Sequence, residues 1–429
     1  MNSHKLSLRS AIFINLNIIL GAGIFINSTK LVHHLGPWGA LSYAVVGILL
    51  LPLILAMAQL VKIHKGGSFY DYAAGIHPFA GFMSQWCYFV GKLAACALSI
   101  HIFVSLMQAL FVPLKNFSTL TLDSSIVLFF MLLNMLNLRI NKSIQISFFA
   151  LKMIPILCII IFGIFYFSPY YLIDTALDIN QLFVTIPFAL YAFTGFEATC
   201  SLINTLENPE TNGPKAILYS YGLSVLIAVT FQTLVYILIG PQLHGSDTFL
   251  TLFPLAFKAI FSGTSMQHYG VILMHTAIAC SALGAAYSIM FSNSWNLYTL
   301  AGKGFKQNAP ALWLSQNNVP YVCILTEVFI ILCYLWYTQG AQVPLQQTNI
   351  LALVITFTFS VVGLFWYSLK NRGSELYLSI FATISCMLLL AFLVKNYMHY
   401  QMLPSYPFVF LVSIGVFIFL THFKQHQRT

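Results

Sequence analysis

The first long apolar segment of the chain is interrupted by glycines near its middle. The segment covers residues 11–32, which is long enough to cross a bilayer as a helix. Gly21-Ala22-Gly23 lies at its centre, and glycine weakens a helix and lets the backbone unwind. Unwound backbone is tolerated at membrane depth only where protein or a polar cavity covers it. This interruption therefore predicts a buried functional site inside a membrane protein.

A second interruption, Thr194-Gly195, lies in the later apolar segment 182–206, and the acid Glu197 follows it directly. Paired interrupted helices in corresponding parts of a chain indicate the binding site of a secondary transporter. The first interruption frees backbone N–H groups at the start of a half-helix, where a carboxylate is favoured. The second frees carbonyls over residues 191–195, which can accept hydrogen bonds from an ammonium group. The two together suit a zwitterionic α-amino acid, with Tyr191 and Phe193 as its predicted cover.

Composition excludes a soluble domain. The 429 residues are 59% hydrophobic and 7% charged, whereas soluble domains carry about 25% charged residues. The eight cysteines all fall in apolar segments without a C-x-x-C pair, so we predict no metal, redox site or cofactor. An intramembrane enzyme would need a cluster such as H-E-x-x-H or G-x-G-D, and neither string occurs, so an enzyme is not expected. A channel is disfavoured because the sequence has no repeated filter loop.

The hydropathy pattern predicts an all-α integral membrane protein with twelve transmembrane helices. These lie at residues 11–32, 40–61, 79–112, 124–138, 144–167, 182–206, 215–239, 269–297, 320–337, 349–369, 376–394 and 406–422. The loops on the side of the termini then hold thirteen basic residues and those on the other side hold four, which predicts that both termini are cytoplasmic. This asymmetry explains the excess of basic residues without a nucleic-acid partner. Two further short amphipathic helices are predicted, over 248–261 and 69–76.

Four charged residues fall in the interior of these predicted spans, away from the span ends that hold Lys30 and Lys215, and each needs a partner or a cavity. Lys152 lies near the middle of its span, either as a titrating group that couples protons to transport or as a permanent positive strut. Glu197 is predicted to serve a gate or a proton path. Lys92 is either a structural pair or part of the substrate pocket, and Glu327 is predicted to be structural.

Several motifs together resemble the amino acid–polyamine–organocation (APC) transporter family. Gly21–Phe25 is similar to the family's G-[SA]-G-[IV]-F interruption, and residues 66–69 and 77–82 resemble G-G-x-Y and G-P-F-x-G-[FY], with His77 in place of a glycine. Residues 193–197 resemble F-x-G-[FV]-E, and residues 207–217 resemble E-N-P…P-x-A-I. Each motif is weak alone, but their order and spacing make a specific signal.

The resemblance implies a five-plus-five inverted-repeat fold in one domain over residues 1–429. The repeats are expected at 10–167 and 182–370, with discontinuous helices 1 and 6 and accessory helices at 376–422. Lys152 resembles the lysine that replaces a sodium ion in proton-coupled members, and Tyr191 and Glu197 match gating positions. The implied substrate-binding residues are Ile19, Gly21, Ala22, Gly23, Ile24, Tyr191, Ala192, Phe193, Thr194 and Gly195.

The predicted function is secondary active transport of amino acids across the plasma membrane, as proton-coupled symport in a bacterial inner membrane. Amino acid, protons and the lipid bilayer are the predicted partners. The alternative is an amino acid exchanger on the same fold, in which Lys152 is a fixed charge. The sequence does not name the amino acid, because the pocket side chains that select it vary freely within such a fold.

Overall fold

The computed structural model describes residues 5–21, 23–65, 67–136, 138–166, 176–243, 249–261, 265–305, 309–371, 373, 375–399 and 406–423. Apart from one isolated bridge, their regular structure is helical. The α-helices are α1 Leu8–Ile19, α2 Gly23–Leu35, α3 Gly39–Ile63, α4 Phe69–Ala74, α5 Pro78–Leu110, α6 Thr119–Asn134, α7 Leu138–Phe165, α8 Ile179–Phe193, α9 Ala198–Leu202, α10 Pro209–Leu243, α11 Leu252–Phe261, α12 Ser265–Gly304, α13 Tyr321–Thr338, α14 Gln342–Asn371, α15 Leu376–His399 and α16 Tyr406–Ile418.

Nine helical stretches among these residues are long and apolar enough to cross a membrane, and four further apolar helices are shorter. Their outer faces carry large apolar side chains, for example Ile48, Phe165 and Trp336, whose relative exposures are 75%, 81% and 69%. Water-facing surfaces rarely carry so many such side chains together. The all-helical class is therefore confirmed, whereas the count of twelve spans and the inverted repeat remain predictions.

Local sequence signals explain where several helices begin. Pro78 opens α5, and the Nδ1 atom of His77 accepts a hydrogen bond from the Phe79 N–H group at 3.1 Å. A proline in the first turn needs no N–H partner, so this is a favourable start. Ser68 and Asp71 form a capping box on α4, which lies within the short helix predicted over 69–76. The helix predicted over 248–261 corresponds to α11 and the 3₁₀ turn before it.

Helix α5 forms the centre of the molecule. Most of its side chains are buried, and it packs most extensively against α12 and α14. Helix α1 packs against α10, α12 and α7, while α2 packs against α8. This arrangement encloses the gap between α1 and α2, and the gap between α8 and α9, inside the helical bundle. The two interruptions predicted from the sequence are therefore both present and both shielded from the outer surface.

Candidate functional site

The two helix interruptions contact each other directly. Helix α1 ends at Ile19 and α2 begins at Gly23, whereas α8 ends at Phe193 and α9 begins at Ala198. A Cβ atom added to Gly23 would lie 3.2 Å from the Tyr191 ring, and one added to Gly195 would lie 2.8 Å from the backbone nitrogen of Ile19. Each interruption thus packs its glycine against the other. A side chain at Gly195 would collide with backbone, and one at Gly23 would require the Tyr191 ring to move.

Gly195 also needs glycine for its backbone conformation. Its φ angle is +140°, a region that residues with a side chain rarely adopt. The turn is stabilised by Glu197, whose Oε2 atom accepts a hydrogen bond from the Gly195 N–H group at 2.7 Å. The acid next to the second interruption therefore satisfies backbone that the broken helix would leave without a partner.

A small cavity lies between the two interruptions. Its volume is about 20 Å³, which is room for about one water molecule. Predicted substrate-binding residues supply one part of its wall, and α5 and α12 supply much of the rest. The lining residues are Ile18, Ile19, Gly21, Gly23, Lys92, Ala95, Ser99, Tyr191, Thr194, Ala285 and Ile289. The structure thus brings together Ile19, Gly21, Gly23, Tyr191 and Thr194, and adds Lys92 to them.

Lys92 and Glu197 form a buried ion pair beside this cavity. The Nζ atom of Lys92 lies 2.6 Å from Oε1 of Glu197, and the two side chains are 2% and 0% exposed. The pair joins α5 to the turn between α8 and α9. The structural pair, one of the two interpretations of Lys92, is therefore present. Lys92 also lines the cavity, and its part in a substrate pocket remains a prediction.

Lys152 lies on α7 and binds α1, the N-terminal half of the first interrupted helix. Its Nζ atom donates a hydrogen bond to the backbone oxygen of Asn17 at 2.5 Å, and its side chain is fully buried. The hydroxyl groups of Ser281 and Ser288 donate elsewhere, to the carbonyl of Leu20 and to Gln145. The lysine therefore contacts α1 itself, through a backbone oxygen.

Three asparagines of α1 and α2, which the sequence analysis did not select, hold the interrupted helix in place. Asn15 donates to the hydroxyl groups of Thr199 and Ser220 at 2.8 and 3.1 Å. Asn17 donates to the Ser288 hydroxyl at 2.8 Å, and Asn27 donates to the Phe188 carbonyl at 2.8 Å. Three amides within one apolar segment were the available signal, because polar groups inside membranes need internal partners.

The chain segments before and after the interruptions also pair by their backbones. The Leu6 N–H group donates to the Thr205 carbonyl at 2.7 Å, and the Glu207 N–H group donates to the Leu6 carbonyl at 3.0 Å. At the other end, the Gln346 amide donates to the Asn27 side chain at 3.1 Å. Hydrogen bonds therefore tie the first interrupted helix to its neighbours on both sides of the cavity.

Some predicted site residues lie elsewhere. Phe193 packs between Tyr43 and Tyr221, with ring centroids 5.6 and 5.9 Å away, and not on the small cavity. Ile24, Ala192 and Gly195 are close in sequence to lining residues but are not in its wall. Ala22 lies outside the described residues. Which residues of a half-helix face the cavity depends on the rotation of that half-helix about its axis. The sequence pattern does not predict this rotation.

Two further buried acids lie away from the cavity. Asp123 pairs with His101 at 2.9 Å, although the predicted span began one residue after this acid. Glu327 on α13 is fully buried, and in the described ranges neither of its carboxyl oxygens has a hydrogen-bond partner. Glu327 is not among the residues that line the cavity, and the structural role predicted for it remains a prediction.

Replacing Glu197 with Gln is expected to destabilise the protein as well as to slow transport. The change leaves the Lys92 ammonium buried without an opposite charge, and breaking such a pair from one side costs about 3–5 kcal/mol. The double variant Lys92→Met/Glu197→Gln removes both charges and should recover part of this loss. Thermal unfolding of the unmodified protein, Lys92→Met, Glu197→Gln and the double variant measures the coupling. A double variant no more stable than Glu197→Gln would show that the ion pair does not link these positions.

The fold and site define a class of protein: a multi-pass membrane protein whose central cavity lies between two interrupted helices. A family model described as amino acid permease matches residues 10–428. The chain therefore belongs to the amino acid permease family. This confirms the resemblance drawn from the motifs.

Curated relatives carry the same kind of name. The amino-acid permease RocE of Bacillus subtilis (strain 168) is 25% identical over 364 residues, which cover 80% of this chain and 75% of the relative. The lysine-specific permease LysP of Lactococcus lactis subsp. cremoris (strain MG1363) is 24% identical over 75% of this chain and 67% of its own length. The D-serine/D-alanine/glycine transporter of Escherichia coli (strain K12) is 21% identical over 80% of this chain and 75% of its own length. All three are named as permeases or transporters, not as enzymes.

Proposed function

We propose that this permease is a proton-coupled amino acid symporter. The observation that carries the proposal is the buried ammonium of Lys152 on the Asn17 carbonyl of α1. A charged lysine stabilises the contact between α7 and α1, and a neutral lysine stabilises it less, because charge-assisted hydrogen bonds are stronger. Protonation therefore favours one arrangement of the interrupted helix, which is the differential interaction that any conformational switch requires.

The substrate orientation follows from the helix ends at the cavity. Helix α2 begins at Gly23, and the partial positive charge of a helix N-terminus favours the substrate carboxylate there. Helix α8 ends at Phe193, and the carbonyls of its last turn are acceptors for the substrate ammonium. Tyr191 lines the same cavity and packs on Gly23, so its ring covers the substrate once the cavity has expanded to hold it. Ile19 and Thr194 complete the wall.

The topology we propose is the five-plus-five inverted repeat, with repeats at 10–167 and 182–370 and accessory helices at 376–422. The interrupted pairs α1–α2 and α8–α9 would be its equivalent first helices. Thirteen basic residues in one set of predicted loops against four in the other support cytoplasmic termini. The curated relatives are bacterial, which supports the inner membrane as the location.

Uptake into reconstituted liposomes tests the function. We expect radiolabelled amino acid to accumulate in liposomes that contain no amino acid, when the outside is acidic, and a protonophore to abolish the accumulation. Exchange is the second candidate, favoured by the single strong hydrogen bond that lets Lys152 act as a fixed charge. Transport that requires preloaded amino acid and ignores the pH gradient would establish exchange and exclude symport.

A further inference from the structure

Two opposite charges lie beside the cavity between the interruptions, and they sum to zero. Lys92 is the charged residue in its wall, and its ammonium lies 2.6 Å from the carboxylate of Glu197. Glu197 uses its second oxygen to bind the Gly195 N–H group. Both charges are therefore already compensated inside the protein, and the wall offers a substrate side chain no free charge of either sign.

A charged substrate side chain would meet an unfavourable environment in this cavity. A cationic side chain would be placed next to the Lys92 ammonium, and the Lys152 ammonium already binds the carbonyl of Asn17, which precedes the lining residue Ile18. An anionic side chain would have to compete with Glu197 for Lys92. Like charges brought together at a binding site cost several kcal/mol, and a buried charge without a partner is costly as well. The site is therefore selective against both signs.

The wall also limits the size of the side chain. Tyr191 and the long Lys92 side chain occupy the space between the interruptions and leave about 20 Å³. Any substrate must expand this cavity, and each additional methylene group needs further displacement of closely packed helices. A glycine-sized or alanine-sized side chain needs the least expansion, whereas an aromatic side chain needs the most.

We propose that the substrate is an α-amino acid with a small, uncharged side chain, and that the Lys92–Glu197 pair excludes charged side chains. This inference rests on the proposed function of amino acid transport. It gives Lys92 a role in specificity that follows from its place in the wall and its partner.

Amino acids matched in size but not in charge test the proposal on the unmodified protein. Diaminopropionate and aminobutyrate have side chains of equal heavy-atom count, as do aspartate and asparagine. We expect the uncharged member of each pair to compete for uptake of labelled alanine at a concentration at least about 100-fold lower. Phenylalanine should compete at least roughly tenfold less well than alanine. Diaminopropionate or aspartate that competes as well as its neutral match would overturn the proposal.

Variants of the pair test the role of Lys92 itself. Lys92→Ala removes the ammonium and leaves the Glu197 carboxylate without its partner, so the variant should gain affinity for diaminopropionate by at least about tenfold relative to aminobutyrate. Lys92→Ala/Glu197→Gln opens the same space without the carboxylate and is the matched control, which should show no such gain. Ligand-induced shifts of the melting temperature report binding even where transport is slow. An equal gain in both variants would exclude the charge mechanism.

The failure of this inference is distinguishable from the failure of the proposed function. If the unmodified protein binds and transports amino acids but accepts charged and neutral side chains equally, the specificity proposal is wrong and amino acid transport stands. If no amino acid, neutral or charged, is transported or shifts the melting temperature, then both are wrong.

Discussion

Lys152→Met should abolish concentrative uptake while leaving exchange of amino acid across the membrane. Methionine has a similar length but neither charge nor titratable proton, so it cannot donate to the Asn17 carbonyl. If protonation of Lys152 biases α1 between two arrangements, the variant loses its link to the proton gradient but keeps its binding cavity. A gradient of one pH unit can drive about tenfold accumulation (about 1.4 kcal/mol) per coupled proton. In the variant, the internal amino acid concentration should rise only to the external one.

The measurement is uptake into proteoliposomes with an acidic exterior, together with counterflow into preloaded proteoliposomes. Glu327→Gln is the matched control, because it removes another fully buried titratable group, one that does not line the cavity. We expect this control to keep its accumulation. If Lys152 is only a strut, Lys152→Met should lower the melting temperature and leave pH-driven accumulation intact. That result would remove proton coupling from Lys152 and assign it to another group.

Gly23→Val should eliminate uptake in a protein that still inserts and folds. A single Cβ atom at this position would lie 3.2 Å from the Tyr191 ring and 3.3 Å from the Ala192 Cα, and valine adds two methyl groups beyond it. The added bulk separates the two interruptions and covers the first N–H groups of α2, where we place the substrate carboxylate. Overpacking of this kind costs about 1–3 kcal/mol in stability, less than complete unfolding requires.

Gly222→Val is the control for helix propensity and added bulk. Gly222 lies within α10, and a Cβ atom there would have no neighbour within 4 Å. Uptake of radiolabelled substrate and its shift of the melting temperature should both be near normal in this control and absent in Gly23→Val. Wild-type uptake by Gly23→Val would show that the first interruption is not part of the binding site.

The interruptions were predictable from the sequence because their cause is local. Gly21 and Gly23 weaken a helix wherever they occur in it, and Gly195 adopts a φ angle that other residues avoid. The apolar runs likewise predicted helices, since a segment inside a bilayer must satisfy its backbone internally. Lys152 and Glu197 were selected for the same reason: a charge within an apolar run is visible without knowledge of its neighbours.

Pairing between distant segments was not predictable from these signals. Lys92 and Glu197 are 105 positions apart, and the 2.6 Å contact depends on how α5 lies against the turn after α8. Hydropathy also treats asparagine as a modest interruption, so Asn15 and Asn17 did not stand out from their apolar neighbours. The partner of Lys152 is the backbone oxygen of Asn17, and because every residue possesses such an oxygen, the sequence does not single this one out.

The closed packing around the cavity has a consequence for how affinity must be measured. The arrangement in which Leu6 pairs with Thr205 and Asn27 with Gln346 leaves too little space for an amino acid, so it competes with every substrate. The apparent dissociation constant is then the intrinsic constant divided by the fraction of molecules that are open. Weak binding in a purified sample would reflect this unfavourable pre-equilibrium as much as poor complementarity. Conditions that weaken the contact of Leu6 with Thr205 or of Asn27 with Gln346 raise the fraction of open molecules. The apparent affinity then rises without any new contact to the ligand.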